Sequence, residues 1–259
     1  MFRARSLGQL CGKVARPLQR QQKSLLHELT PLPYSAEQGL KPLFSSRALG
    51  VVYAKNQQKL IDRLNTLVAG TEHEDQNVFE TMLMTYKQPS KAAIYNYASQ
   101  AWNTDFFLQT LTAEPRPIKA DLKAKIARHF SSFENFQEQF TKAASSIFGS
   151  GWTWLVEDER GVLRIVNTLN SGNPITTGRL QQFDANTSSV EETTDPSSDK
   201  VSTQKPTGAY APILALNMWE HAYVVDFGVD GKEQYIQAFW QSVDWDKVHG
   251  RVIRSPVRA

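Results

Sequence analysis

Two stretches decide how this chain is read, Gly149-Ser-Gly-Trp-Thr-Trp-Leu155 and Asn217-Met-Trp-Glu-His-Ala-Tyr223. In the first, Trp152, Trp154 and Val156 alternate with the period of a strand that buries one face, and the Gly-Ser-Gly ahead of them marks a tight turn of the backbone. In the second, Ile213, Leu214 and Leu216 form an apolar run, Trp219 reads as buried, and Glu220-His221 follow where a strand hands over to a helix. A histidine in that position is either a hydrogen-bonded core residue or a group with chemistry, and both readings stand at this point.

Working outward, 259 residues with 41% hydrophobic content can fill the core of one large domain or two small ones. No apolar run approaches the roughly 18 residues that a membrane span needs. Cys11 is the only cysteine, which excludes an internal disulfide and any metal site built on cysteine. Residues 1–27 carry Arg3, Arg5, Lys13, Arg16, Arg20 and Lys23 and no acid, with Leu7, Leu10, Val14 and Leu18 at helical spacing between them. This basic amphipathic segment reads as a mitochondrial targeting peptide and predicts a matrix protein; the alternative is a retained basic arm that binds nucleic acid. Taking those six charges from the formal +3 leaves about −3 for the remainder. A polyanion must therefore be met by a local patch, since the mature body has no overall cationic field.

Residues 28–115 read as a helical hairpin domain. A proline-rich stretch over 31–44 is expected to lie extended on the surface. Ser45 or Ser46 then caps a helix of about 25 residues with Leu49, Val52, Leu60, Leu64 and Leu67 on its apolar side, ended by Gly70. After a polar linker a second helix runs from about Pro89 to Leu111, with Ile94, Tyr97, Ala98, Ala101, Trp102 and Phe106 inward. Residues 116–246 read as an α/β domain. It starts with short helices near 119–129 and 132–148, continues through the tryptophan strand and its hairpin partner over 162–169, and includes a polar insert over 181–208 expected to be disordered. A third strand over 213–217 and an amphipathic helix over 232–245 complete it. A basic tail over 247–259, with Lys247, His249, Arg251, Arg254 and Arg258, is the one patch suited to phosphates, with Lys247, Arg251, Arg254 and Arg258 as its candidate phosphate contacts; the alternative is a solvated tail with no partner.

Phe133-Glu-Asn-Phe136, the Gly149–Leu155 stretch, Asn170-Ser-Gly-Asn-Pro-Ile-Thr-Thr177 and Trp219-Glu-His-Ala-Tyr223 together resemble the iron/manganese superoxide dismutases, from about Leu32 to Trp245. The resemblance implies an α+β fold, with an N-terminal antiparallel helical hairpin followed by an α/β domain with a three-stranded antiparallel sheet. It also implies a metal held by three histidines and one aspartate. Carried over position by position, the first-helix histidine falls on Val52, the second-helix histidine on Thr104 and the aspartate on Asn217; only His221 is retained. The family's gate tyrosine falls on Leu60, a nearby histidine on Asn56 and an interface tyrosine on Val224, while Gln100 matches the glutamine beside the metal. Valine offers no donor, a threonine hydroxyl is a poor neutral ligand and asparagine lacks the carboxylate charge, so no metal cofactor is expected.

This pattern looks like the dismutase-like proteins of the fungal mitochondrial small ribosomal subunit. That resemblance implies a structural role, with the fold used as a protein-interaction module and limited rRNA contact. It further implies a second dismutase-like protein as heterodimeric partner, met through Glu220, His221, Asn56 and Val224, because Glu220 matches the residue that crosses the family's dimer interface. The alternatives are a mitochondrial superoxide dismutase with altered ligands and a non-catalytic partner of a true dismutase.

Overall fold

A computed structural model describes residues 27–176 and 210–252. The targeting peptide, His27 apart, and the insert over 181–208 thus lie outside the described residues, as does the tail beyond Val252.

The lead-in over 31–44 departs from expectation. Leu40, Leu43 and Phe44 are fully buried, and Leu40 and Phe44 bridge backbone to backbone. The prolines Pro31, Pro33 and Pro42 do stay exposed, while the three large apolar side chains are drawn into the core by the free energy of burial. Ser45 then caps the first helix, its hydroxyl accepting from the Ala48 N–H. Helix α1 (Ser46–Leu49) passes through a π-helical segment, Gly50–Gln57, into α2 (Gln58–Val68) without leaving helical backbone, and Gly70 follows at φ +70°. The π segment has a packing consequence. Twelve residues of regular α-helix, at about 100° each, would turn Ile61 about 120° away from Leu49. The wider π turn, seen where the Gln58 N–H reaches back to the Tyr53 carbonyl, rotates less per residue and keeps Leu49, Val52, Ile61, Leu64 and Val68 all buried.

The polar linker contains a helix of its own, α3 (Val78–Thr85), which the sequence reading missed. Asn77 and Glu80 form a capping box at its start, and Thr81, Met82 and Thr85 are its buried side. Its large apolar residues Phe79, Leu83 and Met84 point partly to solvent, so they blur the periodicity that would have revealed it. A 3-10 turn at Pro89–Lys91 leads into α4 (Ala92–Leu108), which packs against α2 and α3 to give the expected hairpin.

Helices α5 (Ala120–Phe130) and α6 (Phe133–Ser145) precede the sheet, and Ser132 caps α6 by accepting from the Asn135 N–H. Strands β1 (Gly151–Glu157), β2 (Leu163–Leu169) and β3 (Ala211–Asn217) pair antiparallel in the order β2-β1-β3. All seven residues of β1 are buried, so the reading of a strand with one buried face is corrected. As the central strand it is covered twice. Trp152 and Trp154 meet α4, where the Trp102 ring stacks 6.2 Å from Trp154 and Phe107 lies edge-on to Trp152. Thr153 on the other face donates to Asn167, which in turn donates to the Ala143 carbonyl of α6.

Helix α7 (Glu220–Phe227) follows β3. The single last helix read over 232–245 is two helices, α8 (Lys232–Trp240) and α9 (Trp245–Arg251). Between them Val243 bridges to Leu111, and the Asp244 carboxylate starts α9 by accepting from the Asp246 and Lys247 N–H groups. Residues 247–251, read as tail, therefore belong to the folded body. Among the described residues no helix is long and apolar enough to cross a membrane.

The tight turn into β1 is testable. A Cβ on Gly151 would lie 2.4 Å from the Thr168 carbonyl oxygen of the paired strand, whereas one on Gly50 meets nothing within 4 Å. Gly151→Ala is expected to lower the unfolding free energy by about 1 to 3 kcal/mol, and Gly50→Ala to leave it equal or raise it by up to about 1 kcal/mol. Urea titrations of both variants check this; equal midpoints for Gly151→Ala and wild type would remove the packing argument.

Candidate functional site

Val52 lies in the π segment, Thr104 on α4, Asn217 at the end of β3 and His221 in the first turn of α7, on elements that pack against one another. Val52, Thr104 and Asn217 are each fully buried. The Thr104 hydroxyl is turned back onto its own helix, donating to the Gln100 carbonyl at 2.8 Å.

Two amides define what this place accepts. The Asn217 Oδ1 accepts from the Trp219 N–H at 2.9 Å, and the Gln100 Oε1 accepts from the Trp152 indole N–H at 3.3 Å. Both donors can only donate, so neither amide can be flipped. Each amide nitrogen, Asn217 Nδ2 and Gln100 Nε2, is then buried with no partner among the described residues. Trp152 stands opposite Asn217 in the β1–β3 pairing, so the two amides flank one indole. Buried N–H groups present positive dipole ends, and a di- or trivalent cation needs the reverse. Among the described residues no group of three or more His, Cys, Asp or Glu side chains is placed to hold a metal ion. An iron or manganese ion of the kind the fold family implies does not fit these donors. A neutral acceptor such as water does.

His221 is partly buried. Its Nε2 lies 3.4 Å from Asn56 Nδ2, which makes that ring nitrogen the acceptor, and its ring sits 5.7 Å from that of Trp219. Burial pushes its pKa down to about 4, so the imidazole is neutral at pH 7. Trp219, read as buried, is only partly so; its indole N–H donates to the Asn170 carbonyl at 3.3 Å. Glu220 is exposed at the start of α7 and Val224, one turn on, is partly buried. At the same end of the sheet lies a residue the sequence reading left unassigned. Phe148, in the loop before β1, is 96% exposed. That loop is tied to the same end of the sheet, since Ser150 accepts from the Asn170 N–H. Phe148 follows the buried Ile147 at the end of a phenylalanine-rich helix, and periodicity gave no reason to separate the two.

The proposed phosphate contacts are largely engaged within the fold. The Arg251 guanidinium lies 3.7 Å from the centre of the Phe106 ring and donates to the Thr110 hydroxyl and the Ile213 carbonyl; burial lowers its pKa to about 10. Lys247 donates to the Gln109 carbonyl at 2.7 Å, and His249 meets Asp121 at 2.6 Å. The reading of Lys247 and Arg251 as a free cationic tail is corrected by these contacts, and Arg254 and Arg258 lie outside the described residues. The other histidines stand apart from the site: His73 is buried against Gln76, and His129 bonds its own helix at the Lys125 carbonyl.

With this geometry, comparison with known proteins fixes the class. Residues 26–112 match the alpha-hairpin domain of iron/manganese superoxide dismutases, and residues 118–186 and 180–251 match their C-terminal domain. The chain belongs to the iron/manganese superoxide dismutase family. Within it, the chain is similar to the small ribosomal subunit protein mS43 of Schizosaccharomyces pombe, 31% identical over 87% of this chain and 85% of that protein. It is also similar to the iron superoxide dismutases of Legionella pneumophila, at 33% over 84% and 94%, and of Salmonella typhimurium, at 35% over 85% and 95%.

The neutral state of His221 gives a pH dependence. Its folded-state pKa lies below the ordinary histidine value of 6.5, so between about 6.5 and about 4 the unfolded chain takes up a proton that the folded chain refuses. Stability contributed by this group is complete above that window and falls as pH drops through it. Urea unfolding of wild type and His221→Gln at pH 7.0 and 4.5 is expected to show a larger acid loss in the wild type; identical losses would contradict the assignment.

Proposed function

We propose that this chain is a structural component of the mitochondrial small ribosomal subunit, a dismutase fold used as a protein-interaction module and not as an enzyme. One observation carries the reading. Three of four metal positions hold Val52, Thr104 and Asn217, and the fixed amides of Asn217 and Gln100 present donors where a cation would need acceptors. The similarity to a small ribosomal subunit protein and the basic leader of residues 1–27 supply the setting, and the leader argues for the matrix.

The second reading, a superoxide dismutase with altered ligands, is favoured by the iron dismutases being about as similar in sequence as the ribosomal relative. Metal content and sedimentation separate the two. The purified protein is expected to keep less than a tenth of an equivalent of iron or manganese after dialysis against chelator, and to sediment with the small subunit from lysed mitochondria on a salt-containing gradient. Near one equivalent of metal with a slow, dimer-sized peak would establish the enzyme. The same slow peak without metal would point to a non-catalytic partner of a true dismutase.

The face formed by Glu220, His221, Asn56 and Val224, with Phe148 at the same end of the sheet, is the proposed protein contact. A heteromeric, dismutase-like partner suits it better than a second copy, because a homodimer would lack the histidine at Asn56 and the tyrosine at Val224 on both sides. A carboxylate from that partner against His221 would form a desolvated, charge-assisted bond worth about 1.5 to 3 kcal/mol. Glu220→Gln and His221→Ala are each expected to reduce recovery of the partner by co-purification, while Lys142→Gln, on an exposed face of α6, is not. Undiminished recovery with both site variants would move the interface elsewhere.

A further inference from the structure

We propose that the solvent face of the first helix, carrying Arg47, Lys55, Lys59 and Arg63, is a contact surface for the phosphate backbone of RNA. All four side chains are exposed, and among the described residues none takes part in an ion pair. The continuous helix from Ser46 to Val68 holds these four cations against a single acid, Asp62, whose carboxylate is engaged by the Gln58 amide at 2.8 Å. This is a concentration of positive charge on a body that is otherwise net negative.

The π segment brings the four into register. In a regular α-helix they would fan over about 160° of the circumference. The slower rotation through Gly50–Gln57 swings Arg47 back towards Lys55, Lys59 and Arg63, on the side opposite Leu49, Val52, Ile61 and Leu64. The result is a straight row about 24 Å long at 1.5 Å per residue, enough to follow several successive phosphates.

The chemistry favours nucleic acid over a membrane or an acidic protein. A helix that lies on a bilayer sets large apolar side chains at the border of its cations. The exposed large apolar residues Phe79, Leu83, Met84, Phe148 and Val229 all lie on other elements. An acidic protein surface would match scattered charges as well as aligned ones, whereas a linear row matches a linear polyanion. No aromatic side chain stands exposed along the row, and Tyr53 is held by its hydroxyl to the Thr30 carbonyl. The contact is therefore to phosphates and independent of base sequence.

The choice of RNA as the polyanion rests on the ribosomal reading, and the test keeps the two separable. Full-length wild type, the triple variant Lys55→Gln/Lys59→Gln/Arg63→Gln and a control with equal loss of charge, Lys87→Gln/Arg128→Gln/Arg160→Gln, are titrated with a 24-base-pair RNA hairpin between 50 and 200 mM salt. Circular dichroism melting confirms that each is folded. The row variant is expected to bind about tenfold more weakly at 100 mM salt, with a log–log salt slope reduced by about 3, one for each cation removed from a phosphate, while the control changes less than twofold. Equal weakening of the two variants, or tighter wild-type binding to phosphatidylserine vesicles or polyglutamate than to the hairpin, overturns the assignment. Sedimentation of the same proteins reads the other proposal independently: wild type that comigrates with the small subunit, yet binds RNA no better than the row variant, leaves the ribosomal reading standing and removes this one.

Discussion

The two indoles of β1 set the terms for the centre of this protein. Trp152 and Trp154 project from the middle strand towards α4, and each carries an N–H that must be satisfied away from water. Gln100 serves Trp152 and Thr168 serves Trp154. The glutamine at the position beside the family's metal thus has a role that needs no metal: its oxygen is the indole's acceptor. Asn217 follows the same logic. Its oxygen accepts from the Trp219 N–H at the exit of β3, a role an aspartate oxygen would fill equally well. The change from carboxylate to amide keeps that hydrogen bond and alters the charge. The hydrogen bond at this position is thus made by a neutral amide, which supplies no carboxylate charge.

Much of this was legible in the sequence because it rests on short-range signals. Ser45 as a cap, the hairpin partner over 162–169 and the order of the long helices and strands are local, and the structure follows them. The readings that failed depended on what lies across the core. Burial of both faces of β1 comes from its central place in the sheet, which alternation along one strand cannot report. Leu40, Leu43 and Phe44 sit in a proline-rich segment whose local preference is loop, yet tertiary contact makes them core. The helix α3 is short and carries apolar residues on its outer side. The division of α8 from α9 depends on Val243 meeting Leu111 and on Asp244 acting as a cap, contacts made with residues far apart or read only once the helix has stopped.

The electrostatics show the same limit. Counting cations near the C-terminus suggested a free basic tail, but a charge is available only if the fold has not already used it. Arg251 loses hydration to the Phe106 ring and three carbonyl or hydroxyl acceptors, while the cations of the first helix suffer no such loss and remain solvated. The sequence placed Arg47, Lys55, Lys59 and Arg63 in view, and regular helical spacing scattered them. Only the π segment, which sequence periodicity did not suggest, aligns them. Glu220 and His221 were singled out by resemblance, whereas the exposure of Phe148 was not legible.

Helix α9 fastens both halves of the molecule at once. Through Arg251 it reaches the ring of Phe106 and the hydroxyl of Thr110 in the first half and the Ile213 carbonyl of β3 in the second. The fastener follows in the chain both of the parts it joins, so this tie is added only after α4 and the sheet, which already meet through Trp102, Gln100 and Phe107, have both been synthesised.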